Sequence, residues 1–278
     1  QAVEYAGELL KVSPDYEQAS AVLAQLAQAG RDCQDSDALD SLVGVLKGYK
    51  PADAALAAEA RLLTVEALLA RAKVEDKAAK MSALVAEAQK LLDAAGGDKA
   101  AEFADRSRVG ELRGRSYLVE AEKLIAAGAT VRALPLLIKA RDHYLAALPA
   151  RPEDCLARIA GIASLLEHVK EYETAVALYR EVARRYPNLP QGRDALLKAA
   201  RLYDKSLKDP ISALEAYAEY SARYPAELPY RQLELGRRLN RLGYANLLDF
   251  QKRSGLSPDG IFGSKSQAKL EEVEDAFS

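Results

Sequence analysis

The sequence predicts an all-α chain: an α-solenoid of helical hairpins that ends in a small helical module. Three observations carry this. Alanine is very abundant, Leu, Glu, Lys and Arg follow, Trp is absent and β-branched residues are sparse, so summed helix propensity is high everywhere. Apolar residues recur at helical spacing in blocks divided by turn residues. One hairpin pattern also returns after 38 residues, with Ala175, Tyr179 and Tyr186-Pro187 matched by Ala213, Tyr217 and Tyr224-Pro225. A single hairpin cannot bury its apolar face, so the copies must stack, giving about fourteen helices in some seven hairpins.

Taken in order, Val3, Ala6, Leu9 and Leu10 mark a first helix, Ser13-Pro14-Asp15 a turn, and Tyr16, Ala19, Leu23 and Leu26 a second helix. Asp53 to Ala72 and Asp76 to Ala95 form another pair, with Leu62, Val65 and Leu69 facing Met81, Leu84, Ala88 and Leu91. Ala94-Ala95-Gly96-Gly97-Asp98 is the strongest break, and a long helix is expected from Lys99 to Ala127 with a weak point at Gly110. Across a turn at Gly128, Tyr117, Ala121, Leu124 and Ile125 pair with Ala133, Leu137, Ala140 and Tyr144. Pro135 falls near the start of that second helix, where a first turn tolerates it. Three regions follow: degenerate hairpins over 1–98, clear repeats over 99–228 and the module over 229–278.

The clearest copy has Ile159, Ile162, Ala163 and Leu166 on one helix, a turn at Lys170-Glu171-Tyr172, and Ala175, Tyr179 and Val182 on the next. A small residue such as Ala175 lets two helices cross closely, Tyr172 and Tyr179 fill the groove between hairpins, and Pro187 cannot continue the helix. This pattern resembles a tetratricopeptide repeat, although the offset exceeds the usual period of about 34. The resemblance implies a groove that binds a protein or peptide partner. Its candidate lining, from the first helices of the clear repeats, is Ser164, Glu167, His168, Lys198, Tyr203 and Lys205.

Near the end of the chain stand Leu247, Phe250-Gln251, Gly255-Leu256, Asp259-Gly260, Gly263, Ser266 and Leu270, in that order. Each has a plain structural use. Leu247, Phe250 and Leu270 suit a bundle core, Gly255 a left-handed helix stop, Pro258-Asp259-Gly260 a turn, and Ser264 a helix cap. The order resembles the second half of a small three-helix peptidoglycan-binding domain. The first Asp-Gly-x-x-Gly loop of that family is missing, since the helix from Leu233 to Leu242 passes through Gly243-Tyr244 almost directly into the Phe-Gln helix. The resemblance implies contact with peptidoglycan through Gln251, Arg253, Asp259, Gly260, Phe262 and Ser264, and a place in the bacterial periplasm or cell envelope. In the alternative reading the chain is a structural subunit of a larger assembly. The module then only caps the array, with Phe250 and Leu270 covering apolar surface of Tyr217 and Leu233.

Composition narrows the remaining classes. A formal net charge of −2 gives no general attraction to nucleic acid or to an anionic membrane. Between Arg184 and Arg241, however, twelve Lys or Arg face seven Asp or Glu, a local basic stretch. No apolar run approaches the roughly 18 to 20 residues needed to cross a bilayer, and no signal segment is seen. The start at Gln1 instead of Met hints at a removed leader. Cys33 and Cys155 are expected as two free thiols, a distant disulfide being the alternative. His143 and His168 fall on different helices with no metal-like spacing, and neither Glu271-Glu272 nor Asp35, Asp37 and Asp40 builds a sequestered acid–base pair. No nucleophile elbow, phosphate loop or dinucleotide fingerprint is present, so neither enzyme activity nor a cofactor is expected.

Overall fold

Helix is the regular structure throughout the described residues, which in this computed structural model are 2–15, 17–97, 105–224 and 231–277. The expectations placed on Tyr16, Asp98, Lys99, Pro225 and the Leu233 side chain lie outside them. The described helices are α1 (Ala2–Val12), α2 (Ala19–Asp32), α3 (Ser36–Gly48), α4 (Ala54–Val74), α5 (Ala78–Gly97), α6 (Arg106–Ala126) and α7 (Thr130–Ala147). They continue with α8 (Pro152–His168), α9 (Tyr172–Arg185), α10 (Pro190–Leu202), α11 (Pro210–Arg223), α12 (Arg231–Arg241), α13 (Leu247–Arg253) and α14 (Ser264–Phe277). A π-helical turn, Tyr203–Leu207, follows α10. No strand is among the described residues. The chain is thus all-α, and its helices pack mainly on near neighbours in sequence, the order of an α-solenoid. It divides into two compact units, Gln1–Arg158 and Ile159–Ser278.

In the first unit, helix starts are set by aspartates that accept orphan backbone amides: Asp35 from Asp37 and Ala38, Asp53 from Leu56, and Asp105 from Ser107 and Arg108. The Asp105 cap corrects the expected helix from Lys99. Capping requires extended backbone at Asp105 (φ −62°, ψ 103°), so α6 begins at Arg106 and runs unbroken through Gly110. Helix α4 is buried on nearly all sides because α2, α3, α5 and α6 pack on it, so Leu63, Ala67 and Leu68 join the expected Leu62, Val65 and Leu69. Helix α1 packs chiefly on α3 and α2 on α4, so the first two hairpins interlock. Met81 leaves the expected stripe for a small cluster with Ala72, Val85 and Val119, and Leu9 is exposed. The close pair α6–α7 depends on Gly114, where an added Cβ would come within 2.9 Å of the Tyr144 ring. Pro135 is the sixth residue of α7, past its first turn, close to the exposed Val131.

The second unit repeats one helix stop. Lys170, at φ 66°, follows α8, with its amide on Glu167 O and the next amide on Leu166 O at 2.9 Å. Gly243 and Gly255 end α12 and α13 with the same two bonds, and Gly128 ends α6 so in the first unit. Glycine adopts this left-handed geometry freely, whereas Lys170 gives no such signal in sequence. The π-helical turn carries α10 to a length comparable with α8, in keeping with the 38-residue period. At the next join, Gly192 lies under the Tyr186 carbonyl oxygen, which an added Cβ would meet at 1.9 Å.

Helices α12, α13 and α14 share a core of Leu235, Leu239, Leu247, Phe250 and Leu270, with Leu214 of α11 packed against it. Tyr244 meets Phe250 edge to face at 5.1 Å between centroids. Arg238 of α12 pairs with Glu274 of α14, Nε to Oε1 at 2.7 Å, and holds that carboxyl below its ordinary range.

Candidate functional site

The C-terminal module is built around one buried glutamine. Asn246 starts α13 by accepting the Asp249 amide at 2.9 Å, and this phases the short helix so that Leu247, Phe250 and Gln251 face inward. The Gln251 side chain is almost fully buried, yet it meets the loop that returns to α14. Its Oε1 accepts the Gly260 amide at 3.0 Å. Its Nε2 faces Asp259 Oδ1 at 2.9 Å, Ile261 O at 3.0 Å and Ser266 Oγ at 3.2 Å. Two amide hydrogens serve three acceptors, so one is shared. Asp259 Oδ1 also accepts the Ile261 amide at 2.9 Å, and these donors hold its carboxyl below the usual aspartate range.

Beside this braced loop lies a cavity of about 250 Å³. Gln251, Leu256, Ile261 and Ser266 are among the residues that form it, and Ser257, Asp259, Ser264 and Lys265 add two hydroxyls, a carboxylate and an ammonium. These groups can hydrogen-bond a ligand rich in hydroxyl and amide groups.

Of the six wall-binding candidates, Asp259 and Ser264 therefore stand at this cavity, and Gln251 contributes to it while bracing the loop. Ser264 is the first residue of α14 instead of its expected cap. Gly260, at φ 71°, turns toward α11, where an added Cβ would lie 3.3 Å from Pro210 Cγ. Phe262 joins a separate cavity of about 260 Å³ with Pro210, Leu214 and Leu247, and packs on the module core. Arg253 lies at the junction of α12 and α13, its guanidinium 4.5 Å from the Tyr244 ring centroid and Nη1 donating to Gly243 O at 3.0 Å. Ser257 and Lys265 join the cavity in addition to the expected residues. Their adjacency to Pro258-Asp259 and to Ser264 is the signal that could have found them.

Among the repeat candidates, Glu167 and Lys198 come together through Tyr179. The Tyr179 hydroxyl donates to Glu167 Oε1 at 2.6 Å, and Lys198 Nζ lies 5.3 Å from the ring centroid. Burial, then the Glu167 carboxylate, push the Tyr179 phenol upward in pKa. Ser164, His168 and Lys205 stand exposed outside this trio, and Tyr203 is half-buried in the π-helical turn. Part of the basic surplus is taken up in ion pairs: Arg184 and Arg185 with Glu181, and Arg223 with Glu219, which also pairs with Arg180.

In the first unit Cys155 is buried, and burial, aided by Glu111, pushes its thiol up to about 11, away from thiolate chemistry. Cys33 is half-buried and free. His143 stacks on Tyr117 with centroids 5.7 Å apart. Among the described residues no group of three His, Cys, Asp or Glu is gathered to hold a metal ion, and no helix is long and apolar enough to cross a membrane. A scan against protein-family models and a search of curated proteins find no match to this chain.

Proposed function

We propose that the chain is a non-catalytic binding protein of the bacterial envelope. In this reading a tetratricopeptide-like helical array binds a protein or peptide partner, and the α12–α14 module contacts peptidoglycan. The observation that carries it is the cavity beside the Gln251-braced loop, where Ser257, Asp259, Ser264 and Lys265 surround a space fit for a sugar or a short polar peptide. Bracing keeps the loop in one shape, so little ordering cost would fall on a ligand. On the array, Glu167 and Lys198 offer opposite charges beside Tyr179 to an extended peptide.

Co-sedimentation with purified sacculi tests the wall contact. The full chain is expected in the pellet, and the double variant Asp259→Ala, Lys265→Ala in the supernatant. Equal pelleting of both would place any wall affinity elsewhere, and no pelleting of the full chain would remove the wall from the function.

One observation favours a second reading, in which the module is a structural cap. Gly260 and Phe262 face α11 through Pro210 and Leu214, covering surface that the last repeat would expose. If the cap is its sole role, deletion of 245–278 would lower the melting temperature of the remaining helices and leave sacculus binding unchanged.

A further inference from the structure

A different cavity, of about 530 Å³, opens in the first unit between α3, the link Tyr49–Pro51, α4 and α5. Its size is that of an ordinary small-molecule site, roughly 300 to 1,000 Å³. Leu46, Tyr49, Ala60 and Leu91 give it apolar surface, while Lys47, Lys50, Arg61 and Glu87 supply its charges. Glu87 is taken by Lys47 at 2.6 Å. Among the described residues no carboxylate pairs with Lys50 or Arg61. The nearby hydroxyls are committed as donors: Tyr49 to Pro14 O at 2.5 Å and Thr64 to Ala60 O at 2.7 Å. The polar groups left for a ligand are thus cationic, and they border a hydrocarbon surface.

We propose that this cavity binds a linear amphiphilic carboxylate. Its hydrocarbon body lies on Leu46, Ala60 and Leu91, and its carboxylate lies between Lys50 and Arg61. Anion and apolar body are both required, because two cations alone would hold any small anion only weakly in water, and the apolar surface alone would not select charge. The site is independent of the wall-binding module.

Calorimetric titration of the full chain with decanoate, below its micelle concentration, tests this. Acetate serves as the tail-less probe and decyltrimethylammonium as the charge-reversed one. One-to-one binding of decanoate is expected, with both other probes at least about tenfold weaker. Lys50→Gln and Arg61→Gln are each expected to weaken decanoate about tenfold. Lys50 is exposed, so its variant keeps the fold, which circular dichroism verifies. Absence of decanoate binding, equal binding of decyltrimethylammonium, or unchanged affinity in both variants would overturn the proposal. Displacement of decanoate by a much tighter peptide with an apolar C-terminal residue would overturn the ligand class.

Discussion

The Gln251 side-chain oxygen accepts the Gly260 amide at 3.0 Å, and through this bond α13 fixes the loop that carries Asp259. A glutamine that looks like a ligand contact in sequence thus has most of its hydrogen-bonding capacity used within the protein. Replacing it by Leu keeps the volume but leaves the Gly260 amide unpaired. We expect Gln251→Leu to cost about 2 to 4 kcal/mol. Urea denaturation measures it, and a loss well under 1 kcal/mol would show that the loop holds without its brace.

Gly255 and Gly260 have nearly the same backbone, φ 70° and 71°, but different surroundings. An added Cβ meets nothing within 4 Å at Gly255 and meets Pro210 Cγ at 3.3 Å at Gly260. Gly255→Ala should cost about 1 kcal/mol from conformation alone, and Gly260→Ala more. Thermal melts of the two variants rank them; the reverse order would remove the α11 contact from the account.

Lys170 occupies a left-handed stop that glycine fills at Gly128, Gly243 and Gly255. Lys170→Gly should therefore stabilise the protein, by about 0.5 to 1 kcal/mol. A lower melting temperature in that variant would mean that the lysine side chain offsets its own strain.

Two buried tyrosines should respond oppositely to loss of the hydroxyl. Tyr144 Oη is buried without a hydrogen-bond partner, so Tyr144→Phe is expected to be neutral or stabilising by up to about 1 kcal/mol. Tyr179 donates to Glu167, so Tyr179→Phe should cost about 1 to 2 kcal/mol and free the carboxylate. Matched denaturation curves decide between them, and equal effects would contradict the assignment.

Burial raises the Glu111 carboxyl above the ordinary value of 4.5, opposed by Arg115 and Arg151 and reinforced by Glu66 and Asp154. As pH rises past 4.5 the unfolded chain releases this proton first while the folded protein retains it. Stability is therefore lost until the folded group also ionises. Glu111→Gln lacks that loss. Its melting temperature should exceed the parent's at neutral pH, with the difference fading as pH falls through 4.5. A difference independent of pH would show that ionisation of Glu111 is not its source.

Much of the fold is legible because its signals are local. Apolar periodicity placed the helices around Ile159, Ala175 and Ala213, and the glycines at 128 and 255 announced a turn and a helix stop, since propensity and left-handed backbone act within a few residues. Asp105 is a local cap signal that competes in sequence with a longer periodic run, and the cap sets the start of α6. The site was less legible: Asp259 stands in the turn expected of it, whereas Ser264 opens α14 instead of capping it, Gly260 and Phe262 face α11, and Arg253 packs on Tyr244.

By itself, then, the sequence determined an all-α chain, the positions of most of its helices and the hairpin repeat around Tyr179 and Tyr217, while the start of α6 lies at Arg106 and not at the expected Lys99. The tertiary structure alone decided that α4 is buried on nearly all sides, that Gln251 braces a loop, that Lys198 meets Tyr179, and that Lys50 and Arg61 border a partly apolar cavity. These are pairings between residues on different helices and loops. Helix periodicity specifies which face is apolar, whereas the partner of that face depends on how several helices share one core.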